Sequence, residues 1–134
     1  MKLTEHFTLE ELLRSDTAKK RGIDNTPPEG SQIYANLEKL AGVLEEVRAL
    51  FGKPVHINSG YRCPELNKAV GGVRNSAHLT GYAVDIRISG VSPKEVTRRI
   101  SASDIQFDQC IDEGTWTHFS IDPRMRRQAF KAAT

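Results

Sequence analysis

From Ser31 onward, Ile33, Leu37, Leu40, Leu44, Val47 and Leu50 or Phe51 recur at steps of three and four residues. They draw one apolar stripe down a helix of about five turns, and Gly52 and Pro54 stop it. Such a helix must lay its stripe on another layer. The segments that can supply one are short and read with a period of two. Val55–Asn58 reads as a strand. Ala83–Ile88 puts Val84, Ile86 and Ile88 on one face and Ala83, Asp85 and Arg87 on the other. Trp116–Ile121 buries Thr117, Phe119 and Ile121 and sends Trp116, His118 and Ser120 the opposite way. Phe107–Ile111 precedes it across Asp-Glu-Gly-Thr, a hairpin signal. Helices first, then strands with tight connections, predict an α+β fold: a small antiparallel sheet with helices on one face.

Punctuation places the remaining elements. Thr8 and Glu11 form a capping box ahead of Leu9, Leu12 and Leu13, which predicts a short helix over Thr8–Ser15. Gly22–Gly30, with two prolines and two glycines among polar residues, reads as a loop. Ser92-Pro-Lys-Glu95 is a second capping box with proline at the first helical position, opening a helix to about Ser101. No repeat or low-complexity run interrupts this order. The 134 residues suffice for one core and not for two ordinary domains, so 1–134 is expected to be a single domain.

Composition excludes several functions. With 19 Lys+Arg against 17 Asp+Glu, the net charge of +2 gives no footprint for nucleic acid. Arg124, Arg126, Arg127 and Lys131 make the C-terminal end locally basic, which reads as a solvated terminus. No apolar run is long enough for a membrane span. Glu5 and His6 stand where a signal peptide would be apolar, so the chain is expected to be made in the cytoplasm with no export signal. Cys63 and Cys110 lack C-x-x-C spacing and read as free thiols, or at most one optional bridge.

The chemistry gathers on the outward face of the two alternating strands. Asp85 is a carboxylate on an open sheet face, and His118 joins it. His78 lies seven residues before Asp85, in a Ser-Ala-His-Leu-Thr-Gly loop short enough to fold back on the strand it precedes. Two imidazoles and one carboxylate leave a fourth tetrahedral position open, the arrangement of a catalytic zinc site. A metal there would act as a Lewis acid and lower the pKa of a bound water towards about 7. An isolated histidine is more often a hydrogen-bonded surface or core residue, and His6 and His56 take that reading. The helical H-E-x-x-H motif is absent, so any peptidase site must come from strands and loops.

The runs Ser59-Gly-Tyr-Arg-Cys-Pro-Glu-Leu-Asn67, Val70-Gly-Gly72, Ser76-Ala-His-Leu-Thr-Gly-Tyr-Ala-Val-Asp85 and Trp116-Thr-His118 resemble the D-alanyl-D-alanine metallocarboxypeptidase family. Its pattern is S-G-Y-R, then S-x-H-x-x-G-x-A-x-D, then W-x-H. The likeness covers nearly the whole chain, since Leu3–Leu12 also resembles the start of small phage-associated members. The family shares its fold with the hedgehog signalling domain. The resemblance implies one Zn2+ per chain held by His78, Asp85 and His118. It implies that Arg62 binds the substrate carbonyl and the charge developing on it, and that Ser76 hydrogen-bonds substrate or else fixes its loop. The family's E-x-x-H glutamate is replaced by Thr115. Glu113, in the hairpin turn, is the candidate base, with Asp112 as its neighbouring alternative. The implied activity is hydrolysis of peptidoglycan stem peptides, by a D-Ala-D-Ala carboxypeptidase or an endolysin-type endopeptidase. A non-catalytic zinc-stabilised binding module or a virion structural domain is the alternative. The implied setting is a monomer acting on the cell wall after phage-type release or as part of a virion.

Overall fold

A computed structural model describes residues 1–133. The striped segment forms helix α3, Ile33–Phe51, closed by Gly52 in the left-handed conformation. Its buried residues are Leu37, Leu40, Ala41, Leu44, Val47 and Phe51, with Asn36 at the start of the same face. At the foot of the stripe Phe51 is buried and Leu50 only packs beside the core, which resolves that pair.

Ahead of α3, helix α1 covers Leu9–Leu13, and its capping box closes reciprocally between Thr8 and Glu11. The expected extension to Ser15 does not occur. Ser15 instead accepts from the Ala18 amide and caps a second helix, α2, Asp16–Arg21, which ends on Gly22 at positive φ. Residues 22–30 form the anticipated loop. Strand β1, His56–Ser59, and helix α4, Pro64–Ala69, come next. A 3-10 turn, Ala77–Thr80, precedes strand β2, Ala83–Arg87. Helix α5, Pro93–Ser101, starts on Ser92 and Pro93 as expected. Only half its box forms, because the Glu95 carboxylate pairs with Arg98 rather than the cap. Strands β3, Gln109–Asp112, and β4, Thr117–Ser120, make the predicted hairpin.

The sheet is five-stranded, in the order β1-β2-β4-β3-β5. Its first four strands are antiparallel. The last, β5, Gln128–Lys131, lies parallel to β3, so the sheet is mixed rather than wholly antiparallel. The basic end is therefore an edge strand and not a solvated tail. Arg126 makes a fork with the buried Asp108, and Arg127 reaches the Ile105, Ser101 and Ser103 carbonyls. Those two arginines serve packing.

Register sorts the side chains into two faces. The row Val84, Phe119, Cys110, Ala129 points into the core shared with α3 and with Val96 and Ile100 of α5. The neighbouring row, Asp85, His118, Ile111, Phe130, points the other way. The alternation expected for β2 and β4 therefore holds.

Candidate metal centre

Three elements deliver three ligating atoms to the second face. His78 comes from the 3-10 turn, Asp85 from β2 and His118 from β4, and one ligand atom of each lies within 4.8 Å of the others. His78 Nε2 stands 3.3 Å from Asp85 Oδ1, and His118 Nδ1 stands 3.2 Å from the same oxygen. The two rings meet edge to face with centroids 5.2 Å apart.

The local structure explains this approach. The Ser76 Oγ accepts from the His78 amide and starts the 3-10 turn, and Gly81 in the left-handed region ends it. Asp85 and His118 are direct cross-strand neighbours. Asp85 is only 8% exposed, so the open face anticipated for it is covered by His78, His118 and Arg62.

Hydrogen bonding fixes which ring atom is available. His78 Nδ1 lies 2.7 Å from the Gly60 carbonyl oxygen, which can only accept, so Nδ1 carries the proton and Nε2 turns towards Asp85. That carbonyl is held in turn by close packing. A Cβ on Gly60 would overlap the Leu12 carbonyl, and Tyr61 N donates to the same oxygen at 2.8 Å. With Nδ1–H donated, a neutral His78 points a lone pair at a carboxylate oxygen. Two acceptors 3.3 Å apart form a pair that a cation between them, a proton or a metal, would stabilise. Burial opposes ionisation of Asp85, yet the His118 and His78 imidazoles beside it outweigh burial and hold the carboxyl well below the usual range. The donor set, two imidazoles and one ionised carboxylate with a fixed tautomer, fits a divalent metal.

Around this trio lies a cavity of about 300 Å³ lined by Arg62, Ser76, Glu113, Trp116, Gln109 and Ile111 among others. Arg62 follows β1, and its amide donates to the His78 carbonyl at 3.1 Å, which ties the two loops together. Its guanidinium contacts Ser59 Oγ at 3.3 Å, Asn67 Oδ1 at 3.0 Å and Asp85 Oδ2 at 3.3 Å. Of five N–H donors three are used, leaving two for a ligand. Burial pulls the Arg62 pKa down and the Asp85 charge pushes it back up, and the group stays cationic.

The structure brings all six anticipated site residues, Arg62, Ser76, His78, Asp85, Glu113 and His118, into one cavity. It separates Asp112 from them. Asp112 pairs with Thr117 in the core-facing rows, and its Oδ1 accepts from the Gly114 amide at 2.9 Å to shape the turn. His6 clasps Glu45 on α3, and His56 is exposed opposite Arg87. Neither reaches the centre.

Two supporting residues have roles that the motifs did not assign. Asn67, buried on α4, accepts from Arg62 and donates to the Val73 carbonyl at 2.9 Å. A Cβ on Gly72 would overlap that amide, so the glycine keeps room for the pair. Asn25, from the loop before α3, donates to the Leu13 and Tyr61 carbonyls and accepts from the Cys63 amide, which pins the Arg62 loop to α1. Both act on backbone carbonyls, which carry no signature in a sequence.

A small sheet presenting an open two-histidine, one-carboxylate centre beside an arginine is the framework of a metal-dependent hydrolase. Residues 5–120 match the family model described as Peptidase M15, and the chain belongs to that family of zinc D-Ala-D-Ala carboxypeptidase-like metallopeptidases. No curated protein matches the chain.

Proposed function

We propose that the protein is a zinc peptidase of peptidoglycan stem peptides, either a D-Ala-D-Ala carboxypeptidase or an endolysin-type endopeptidase, acting on the cell wall in the manner of phage enzymes. The observation that carries this reading is the convergence of His78 Nε2, Asp85 Oδ1 and His118 Nδ1 inside a cavity also lined by Arg62 and Glu113. Residues 1–134 then act as one zinc peptidase domain, working as a monomer.

Zinc held by His78, Asp85 and His118 would supply a Lewis acid and an activated water. The chain's own residues do the rest. Gly60 and Ser76 hold His78 in the ligating tautomer and position. The two spare donors of Arg62 bind the substrate oxygen on which negative charge develops as water adds to the carbonyl carbon. Glu113 takes a proton from that water and passes it to the leaving amine nitrogen as the C–N bond breaks. Its place in the turn after β3 brings it to the cavity without a bond to the metal ligands, and Thr115, where the family has its glutamate, is exposed.

The test is mass spectrometry of purified muropeptides incubated with zinc-loaded protein. Loss of one alanine is expected of a carboxypeptidase, and a broken cross-link or stem bond of an endopeptidase. Elemental analysis should find one zinc per chain, and a chelator should stop hydrolysis. Hydrolysis that persists in folded, metal-free protein would overturn the reading.

A further inference from the structure

The sheet row that carries Asp85 and His118 does not end at the metal ligands. It continues through Ile111 on β3 to Phe130 on β5. Ile111 lines the cavity, and Phe130, paired with it, is 46% exposed. The parallel row repeats the pattern: Gln109, also in the cavity, bonds Gln128 Oε1 at 3.0 Å. Ala129 between them packs on the core, which fixes the face of its neighbours.

The connection that sets β5 there is strained and clamped. Met125 and Arg127 both take positive φ, which is strained for residues with a Cβ. The clamps are the Arg126 fork on Asp108, the Arg126 amide on Asp108 Oδ1 at 2.9 Å, and Arg127 over the Phe107 ring. Strain of this kind persists where surrounding contacts over-determine the conformation. β5 also lies beyond residues 5–120, so what it adds to the site comes from this chain's own C-terminal residues.

From these observations we infer that β5 is the far wall of the substrate cleft and that Phe130, with Ile111, is the residue pair that sets its specificity. Adjacent strands are about 4.8 Å apart, so Phe130 stands about 10 Å across the sheet from the His118 strand, or about three residues of extended peptide. Arg62 lies on the opposite side, beside Asp85. A stem peptide gripped by Arg62 at the cleaved bond runs over Ile111 and lays an apolar side chain or aliphatic stem on Phe130, while Gln109 and Gln128 offer amides to its backbone. The inference rests on the peptidase reading above and names the part of the substrate that the reading leaves open.

Trp116, the sole tryptophan, lines the cavity and reports occupancy by its fluorescence. Stem peptides from purified muropeptides are titrated into zinc-loaded wild type, Phe130→Ala and Phe130→Leu, and their hydrolysis is followed in parallel. Phe130→Ala should raise both Kd and KM about tenfold with kcat within about twofold, and Phe130→Leu should stay within about threefold of wild type. Shortening the peptide from the end that overlies β5 should erase the difference. Equal Kd for wild type and Phe130→Ala on full-length peptides overturns the inference even if hydrolysis is normal. Discrimination without hydrolysis leaves the cleft standing and sinks the peptidase reading. Failure of the wild type to bind any stem peptide overturns the cleft.

Discussion

Glu113 and Asp112 adjoin in sequence and differ only in the face they take. β3 alternates up to the turn, so Asp112 follows Cys110 to the core side, and Glu113 follows Ile111 to the metal side. That parity puts Glu113, and not its neighbouring alternative Asp112, in the cavity lining. Glu113→Gln should retain metal and fold while turnover falls about a hundredfold or more. Asp112→Asn should keep near-normal turnover and lose some stability, since its Oδ1 holds the Gly114 amide. Measuring kcat, metal content and the urea midpoint for both variants checks the pair, and a dead but folded Asp112→Asn would reverse the assignment. The same period-two argument made Asp85 and His118 legible as face-mates. The partners that aim the loop residues beside them, the Gly60 carbonyl on His78 and Asn67 on Arg62, were not legible. A carbonyl belongs to every residue, and only the folded chain says which one lies 2.7 Å from an imidazole.

Among the elements, the long ones were read correctly and the short ones unevenly. α3 announces itself because about five turns of spacing over-determine its face. α2 and α4, each 6 residues, hold too few positions to show a period. They exist because Ser15 and Cys63 cap them and the fold packs against them. β5 is the largest departure. Its arginines advertise a solvated end, whereas Arg126 and Arg127 are used to fasten the strand. The hydrogen bonds and charge of Arg126 hold the Asp108 carboxyl below its ordinary range. A carboxyl with a folded pKa below its unfolded one adds stability that is complete above the unfolded value of about 3.9 and lost as pH falls through the folded value. The stability gap between wild type and Asp108→Asn should therefore be widest above about pH 4 and narrow on acidification towards pH 2. Urea midpoints across that range test it, and a gap independent of pH would assign Asp108 a role other than ion pairing.

At the scale of the molecule, one core joins α3 and α5 to the sheet and leaves the opposite face for chemistry. Cys110 lies in that core, fully buried, and desolvation pushes its thiol up to about 12. Cys63 caps α4 and is only half-buried, and both cysteines are free, as expected from their spacing. In native protein at pH 8 a thiol reagent should modify Cys63 alone, with Cys110 reacting only at the rate of global unfolding and both reacting at once in denaturant. Fast modification of Cys110 in the folded state would show that the core opens locally. No helix among the described residues is long and apolar enough to cross a membrane.

The sequence by itself determined the α+β class, the helix that founds the core, the hairpin, and which three residues, His78, Asp85 and His118, could hold a metal. Those features depend on local periodicity and on residue types that few other folds would place in that order. Tertiary structure alone decided that Asp85 is buried, that Arg62 shares its donors among three partners, and that the C-terminal end closes the sheet. The burial of Asp85 and the seating of the C-terminal end turn on contacts between residues far apart in the chain, where burial and the partner's charge set the outcome, and neither is encoded in the spacing of any one segment.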